Sequence, residues 1–280
     1  MTFTAKKLGS SSSTDWKTAA GYDLFRKRRR QFTLVLVVMI ALVALSSAIT
    51  QFSYKSAVMS IPKALGWLVT NVYPDAKALA KAPEILNKLF QTIVASVTAT
   101  VGAAIIAFLF AILGSKTTRV HPAFSLIVRG IGSLFRNIPV VAWAMILLLS
   151  FGQSMLTGLL ALFFETFGFL VRSFLETIDE TSRSSVEALR ATGATYGQVI
   201  FQAVLPSTLP QVLSWILYMI ETNIRSATLV GILTGTGIGF TFDLYYEALN
   251  YRAAALVVVS IVVVVLLIES ASNWIRRMIL

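Results

Sequence analysis

Glu221 and Arg225 stand four residues apart inside an otherwise apolar stretch, 209–233. On a helix that spacing lets a carboxylate and a guanidinium pair. Ser214, Tyr218 and Thr228 fall at three- and four-residue steps from them, so the five side chains form one polar stripe. A charge inside a membrane span costs about 2.5–3.5 kcal/mol on insertion scales and therefore faces a bundle interior or water. Two readings stay open. The pair is either a structural lock between helices, or part of a stripe lining a wet passage. In the second case Arg225 is a stepping point for an anion, because a guanidinium grips a phosphate-like group through two parallel hydrogen bonds. Other chemistry is scarce: His121 is the single histidine and there is no cysteine, which excludes an imidazole pair, a thiolate metal site and a disulfide. An embedded enzyme needs a convergent acid, base or metal group, and scattered carboxylates do not supply one.

Two glycine-containing strings imitate nucleotide motifs without meeting their requirements. Gly114-Ser115-Lys116-Thr117-Thr118 lacks the leading glycine of a phosphate-binding loop, and its lysine does not follow a glycine directly. Gly235-Thr236-Gly237-Ile238-Gly239 closes a membrane helix instead of joining a strand to a helix, so it predicts a turn at the outer rim.

The elements that position the stripe follow from composition. Of 280 residues 56% are hydrophobic and 13% charged, against about 45–50% and about 25% in a soluble domain. With a mean hydropathy of +0.76, the chain is an all-α integral membrane protein. The net charge of +11 therefore marks cytoplasmic loops and not a nucleic-acid partner. A crossing needs about 20 apolar residues, and the sequence predicts six: 32–50, 90–113, 139–151 with residues borrowed from both sides, 155–171 with Glu165 inside, 209–233 and 253–268. The first follows the basic run 26–30, but it is too long for a signal peptide and lacks a small-residue cleavage site, so it reads as a retained anchor. With both termini cytoplasmic, seventeen basic residues lie inside and six outside, as the positive-inside rule requires.

Four regions result: a basic, partly disordered cytoplasmic tail 1–31, serine-rich at Ser10 to Ser13; the first transmembrane anchor 32–50; an extracytoplasmic amphipathic connection 51–89; and a core 90–280. In the connection, Ile61, Leu65, Leu68, Val69 and Val72 share a helical face broken at Pro74-Asp75, and a second short helix would carry Lys77, Lys81, Glu84 and Lys88 on its polar side. Such a pair rests on the membrane surface or forms a basic collar for a partner or an anion.

On the inner side, the polar segment 176–210 predicts two short helices. Ser184 and Glu187 have capping-box spacing, Gly193 suits a left-handed helix end, and a second helix from Ala194 to about Ala203 is stopped by Leu205-Pro206. The result is a rigid knob able to carry a push from a soluble partner into the fourth and fifth spans.

This segment resembles the coupling loop of ABC-importer permeases: Glu-Ala-Ala, three residues, Gly, nine residues, Ile, one residue, Leu-Pro. Glu187, Ala188, Gly193, Leu205 and Pro206 match; Leu189 and Ala203 depart, keeping small or apolar character. Arg136-Asn137-Ile138-Pro139 with Trp143-Ala144, and Asn223-Ile224-Arg225-Ser226-Ala227-Thr228 leading into the glycine string, extend the likeness to phosphonate-type permeases. It covers the chain from about residue 55 onward, with the Asn-Ile-Arg-Ser-Ala-Thr string its most specific piece.

The resemblance implies a type I ABC importer permease fold with the coupling loop at 176–208. It implies a second copy of the chain, two ABC ATPase subunits below that bind ATP and Mg, an extracytoplasmic solute-binding protein above, surrounding lipid, and no cofactor in this chain. Glu187, Ala188, Gly193, Leu205 and Pro206 would meet the ATPase. Arg225, Glu221, Asn223, Tyr218, Ser214, Thr228, Arg136 and Asn137 would line the pathway of a phosphonate, phosphite or related oxyanion. The competing expectations are a methionine-type or other small-solute permease, and an ATP-independent channel or secondary transporter. Internal repeats would favour the secondary transporter, and none is visible between the two halves.

Overall fold

A computed structural model describes residues 15–73, 75–119 and 121–279, with side chains described from residue 28 onward. The serine cluster of the tail and Pro74 lie outside these residues.

Contacts divide the chain into two units, with the boundary in the chain between Trp67 and Leu68. The first carries helix α1, Asp15–Ile49, and most of α2, Tyr54–Val72. Helix α1 begins well inside the segment expected to be tail, so the basic run 26–30 is helical and continuous with the apolar anchor. No residue of its candidate span Arg28–Ile49 is buried. α2 keeps Pro62 within the helix and buries none of its residues.

The second unit holds the remaining helices: α3 (Ala76–Leu79), α4 (Ala82–Gly114), α5 (Pro122–Arg136), α6 (Val140–Phe151), α7 (Met155–Thr181), α8 (Arg183–Ala191), α9 (Tyr196–Gln198), α10 (Leu205–Thr234), α11 (Gly237–Glu247) and α12 (Tyr251–Ile279). A π turn, Val199–Val204, joins α9 to α10 without a break. The polar helix expected to carry Lys77 through Lys88 is divided instead. Asp75 caps the short α3, accepting a hydrogen bond from the Ala78 N–H at 2.8 Å. Pro83 then starts α4 in the first turn, where its missing N–H costs nothing, so Glu84 and Lys88 belong to the long membrane helix.

Among the described residues five helices are long and apolar enough to cross a bilayer, and the bent pair α5–α6 makes a sixth. That pair turns through 89°. The cause is Asn137-Ile138-Pro139: a residue before proline avoids helical angles, Asn137 closes α5, and Pro139 occupies the N-cap of α6 in extended conformation. At about 1.5 Å per residue, the 12-residue α6 is too short for a core about 30 Å thick. The short third crossing of the sequence is thus half of a broken span. α7 also runs ten residues beyond its expected end at Val171, to Thr181.

α7 is the centre of this unit, in contact with α4, α5, α6 and α10. Lipid gives helices no hydrophobic reason to associate, so close packing of small residues does that work. Ala99, Ala103, Ala107 and Ala111 recur every fourth residue along α4, all buried. Gly168 of α7 leaves no room for a methyl group against the backbone of Phe135 and Arg136. Gly114 likewise lies against Val128, where a Cβ would approach to 2.7 Å. Phe174, Leu170 and Val171 fill the space these small residues open.

Candidate functional site

The inner knob is built around α8. Val186 is its one buried residue and packs it into the main core. The expected capping box at Ser184 does not form. Ser182 already has helical angles, so α8 follows α7 almost without interruption and Ser184 falls inside the helix. The Ser182 hydroxyl donates back to the Ile178 carbonyl at 2.6 Å, and Glu187 pairs with Arg183 at 3.1 Å on the exposed face. The far end is a Schellman closure: Gly193 has φ +78°, its N–H donates to the Arg190 carbonyl at 3.0 Å, and the Ala194 N–H to the Leu189 carbonyl at 3.3 Å. Glu187, Ala188 and Gly193 all face outward, and a Cβ at Gly193 would meet nothing within 4 Å.

The chain then re-enters helix at a capping box that sequence reasoning overlooked, Thr195 with Gln198. Thr-x-x-Gln was its signal. Leu205-Pro206 does not stop this helix. The π turn moves the Leu205 N–H onto the Ile200 carbonyl, and Pro206 takes an early position of α10 where no donor is required. The helix is therefore continuous over Tyr196–Thr234, and the knob is one free helix, α8, followed by the root of α10.

Asp179, near the end of α7, anchors the knob and was not singled out in the sequence. Its Oδ1 accepts from the Ser115 hydroxyl at 2.5 Å and from the Thr117 N–H at 3.2 Å. Its Oδ2 pairs with Arg129 of α5 at 2.8 Å. The string that imitates a phosphate loop thus wraps a carboxylate. The Arg190 guanidinium of α8 donates to the Thr117 carbonyl at 3.1 Å, so α4, α5, α7 and α8 meet at one polar node. Nothing local in the sequence marks Asp179; its partners are 50 to 64 residues away.

Along α10 the stripe is partly exposed within the single chain. Glu221 and Arg225 pair at 3.1 Å, the carboxylate side chain 12% exposed and the guanidinium 51%. Tyr218 is exposed, Ser214 donates to the Pro210 carbonyl at 3.0 Å, and the buried Thr228 hydroxyl has no partner among the described residues. Asn223 is different. It is fully buried, and its amide donates to Thr100 of α4 at 2.8 Å and Thr166 of α7 at 2.7 Å. It ties three helices together, while its Oδ1 finds no partner among the described residues.

At the break between α5 and α6, the Arg136 guanidinium lies over the Phe169 ring, 5.9 Å from its centroid. Phe169 also meets Tyr218 and Trp215 at 5.7 Å. One aromatic ring therefore joins Arg136 to the stripe, although the two are 82 positions apart in the chain from Arg136 to Tyr218. Asn137 instead donates to the Ser133 carbonyl at 2.8 Å and finishes its own helix. The glycine string forms a turn: Gly235 at φ +67° ends α10, Gly237 at φ +63° opens α11, and Gly239 packs on the α10 backbone at Thr228.

Residues 103–279 match the family described as the binding-protein-dependent transport system inner membrane component. The chain belongs to that family. The permease is therefore a multi-pass protein of the bacterial inner membrane. It is 29% identical to the phosphite transport system permease protein PtxC of Stutzerimonas stutzeri, over 69% of this chain and 70% of that one. To the putative phosphite transport system permease protein HtxC of the same organism it is 25% identical, over 90% and 89%. Among solved structures, the permease fold superposes on an inward-facing form of the MetNI methionine ABC transporter with TM-score 0.60 and 19% identity, covering 70% of this chain and 96% of that one. An amino acid ABC transporter crystallised with histidines gives 0.61 and 15%, covering 73% and 98%. At such identities the likeness speaks for the fold, which is that of an ABC importer permease.

Proposed function

We propose that this permease is the membrane subunit of an ATP-driven importer for phosphonate, phosphite or a related phosphorus oxyanion. The observation that carries the mechanism is the outward-facing α8 closed by Gly193 and joined, through the Arg190–Thr117 hydrogen bond, to the Asp179 node where α5, α7 and the loop after α4 meet. The substrate class rests on the phosphite permease relatives.

A half-exposed guanidinium in a membrane helix needs a wet or protein-lined neighbour. A second copy of the chain, placed so that the two stripes face a common passage, provides both. Two ATPase subunits receive the knobs, and a solute-binding protein delivers the anion from outside. ATP binding closes the ATPase pair, the knobs move with it, and α7 and α10 rearrange so that the passage opens outward. Hydrolysis resets it, an exchange between two discrete arrangements. In the passage, Arg225 and Arg136 attract the anion, Glu221 keeps Arg225 from holding it too firmly, and binding stays weak enough for release. Asn223 holds α4, α7 and α10 in register. Catalysis of ATP hydrolysis, with its Mg, belongs to the ATPase partner.

Reconstitution with the ATPase and the binding protein should give phosphite uptake that requires ATP. Uptake by the permease alone, or a failure to associate with any ATPase, overturns the reading.

A further inference from the structure

An open notch of about 470 Å³ lies between the loop after α4 and the flank of α8, with Lys116, Thr117, Asp179, Arg183, Glu187 and Arg190 on its walls. Its charges are unevenly committed. Asp179 is occupied by Ser115, Thr117 and Arg129, and Glu187 by Arg183. Lys116 and Arg190 have no carboxylate partner within 4 Å among the described residues. Arg190 is held in place by its bond to the Thr117 carbonyl, and a guanidinium keeps further N–H groups available after one such bond.

We propose that this notch binds a phosphorus oxyanion on the cytoplasmic side, gripped between the Lys116 ammonium and the Arg190 guanidinium. The choice of ligand follows from the donors. Two cationic groups on separate elements suit an anion with several equivalent oxygens, which both can contact at once, better than a single carboxylate. The two carboxylates already in the notch are neutralised by their own arginines, so they leave the positive charge in excess. The notch is large enough for a phosphate bearing an organic substituent, so the ligand is either the free transported oxyanion or the phosphate of an anionic lipid headgroup.

Occupancy has a mechanical effect, which rests on the importer reading above. At present one hydrogen bond, Arg190 to Thr117, joins the C-terminal half of α8 to the loop. An anion shared by Lys116 and Arg190 adds a second bridge and restrains the helix that must move. Where the occupant is the free oxyanion, product accumulating inside slows its own import; where it is a headgroup, anionic lipid sets the rate.

The test uses the assembled permease–ATPase complex in nanodiscs of zwitterionic phosphatidylcholine, titrated calorimetrically with inorganic phosphate. Lys116 is exposed and outside every ion pair described, so Lys116→Gln should fold normally. The expected result is a binding component that Lys116→Gln weakens about tenfold or more and that Lys116→Gln/Arg190→Gln abolishes. Repeating the titration in phosphatidylglycerol nanodiscs separates the sources: phosphate displaced from the notch identifies the headgroup as the resident ligand, and unchanged phosphate binding identifies the free oxyanion. Equal phosphate affinity in wild type and both variants, in both lipids, overturns the proposal. Notch binding without ATP-dependent phosphite uptake sinks the importer reading alone; uptake without notch binding sinks this one alone.

Discussion

The Arg190 guanidinium donates to the Thr117 carbonyl at 3.1 Å, joining α8 with the loop at the inner end of α4. Both residues belong to short polar segments that would otherwise be free to move. The bond, together with the Asp179 node beneath it, makes the knob a part of the transmembrane bundle instead of an appendage.

Gly193 has open space around it, so a side chain there is opposed only by its left-handed backbone, at a cost of roughly 1–2 kcal/mol for most residues and less for Asn. Gly193→Asn should keep ATP-dependent uptake near wild type. Gly193→Trp should insert normally and abolish uptake, because it adds bulk on the face proposed to meet the ATPase. Uptake and membrane insertion measured side by side check both, and normal uptake by the Trp variant refutes the coupling role.

Replacing Asp179 by Ala removes the ion-pair partner of Arg129 and the acceptor of the Ser115 hydroxyl, while the Thr117 N–H keeps the Ser115 oxygen at 3.1 Å. An unmet partly buried donor costs about 1–3 kcal/mol. A clear fall in the thermal midpoint of the detergent-solubilised protein is expected, with a smaller fall for Asp179→Asn, which keeps one acceptor oxygen. Equal midpoints for wild type and Asp179→Ala would show that the node does not hold the fold.

Asn223 and Arg225 separate structure from transport. Asn223→Ala removes hydrogen bonds to Thr100 and Thr166, each worth about 0.6 kcal/mol on average and up to about 1.7 kcal/mol between membrane helices, so stability should fall. Arg225→Gln touches a half-exposed side chain; it should leave assembly intact and cut phosphite uptake about tenfold or more. If Arg225→Gln instead lowers only stability, the pair with Glu221 is a structural lock.

Asp75 lies at the other end of the unit, where the Ala78 N–H, and secondarily Arg252, hold its carboxyl below the usual carboxylate range. A depressed folded value means that the stabilisation is complete above the unfolded value and is lost as pH falls through the folded one. Near neutrality the contribution is full. On acidification below the ordinary carboxylate range, the gap in thermal midpoint between wild type and Asp75→Asn should close. A gap that stays constant with pH argues against this account.

Much of the architecture was legible because membrane helices announce themselves by length and composition. The stretches 32–50, 90–113 and 253–268 carry no charge, and the Gly193 turn is local chemistry that needs no distant partner. What escaped was non-local or compensated. Proline at 206 reads as a stop, but a π turn placed just before it relocates one hydrogen bond and lets the helix pass. Pro139 does break its helix, since nothing similar precedes it. Asp179 looks like any acidic residue at a helix end, and only the fold brings Ser115, Thr117 and Arg129 to it. Asn223 sits within a polar segment of α10, yet it points toward α4 and α7 while Arg225, two residues on, remains half exposed. A periodicity argument groups residues by helix face but cannot say which neighbour each face meets.

The unbroken run Tyr196–Thr234 is, at 1.5 Å per residue, a rod close to 60 Å long. Its lower tip adjoins Gly193 and its upper tip is clasped where Gly231 and Gly239 touch. In the proposed transport cycle a sideways nudge of a few ångströms at the bottom would reach Arg225 as a much smaller shift, because that residue lies nearer the clasp and beside Asn223, which ties the same stretch to α4 and α7. The π turn, with its widened spacing, and Pro210 just above it are the natural places for such a shaft to flex in that proposed cycle, and the guanidinium lies on the stretch beyond both.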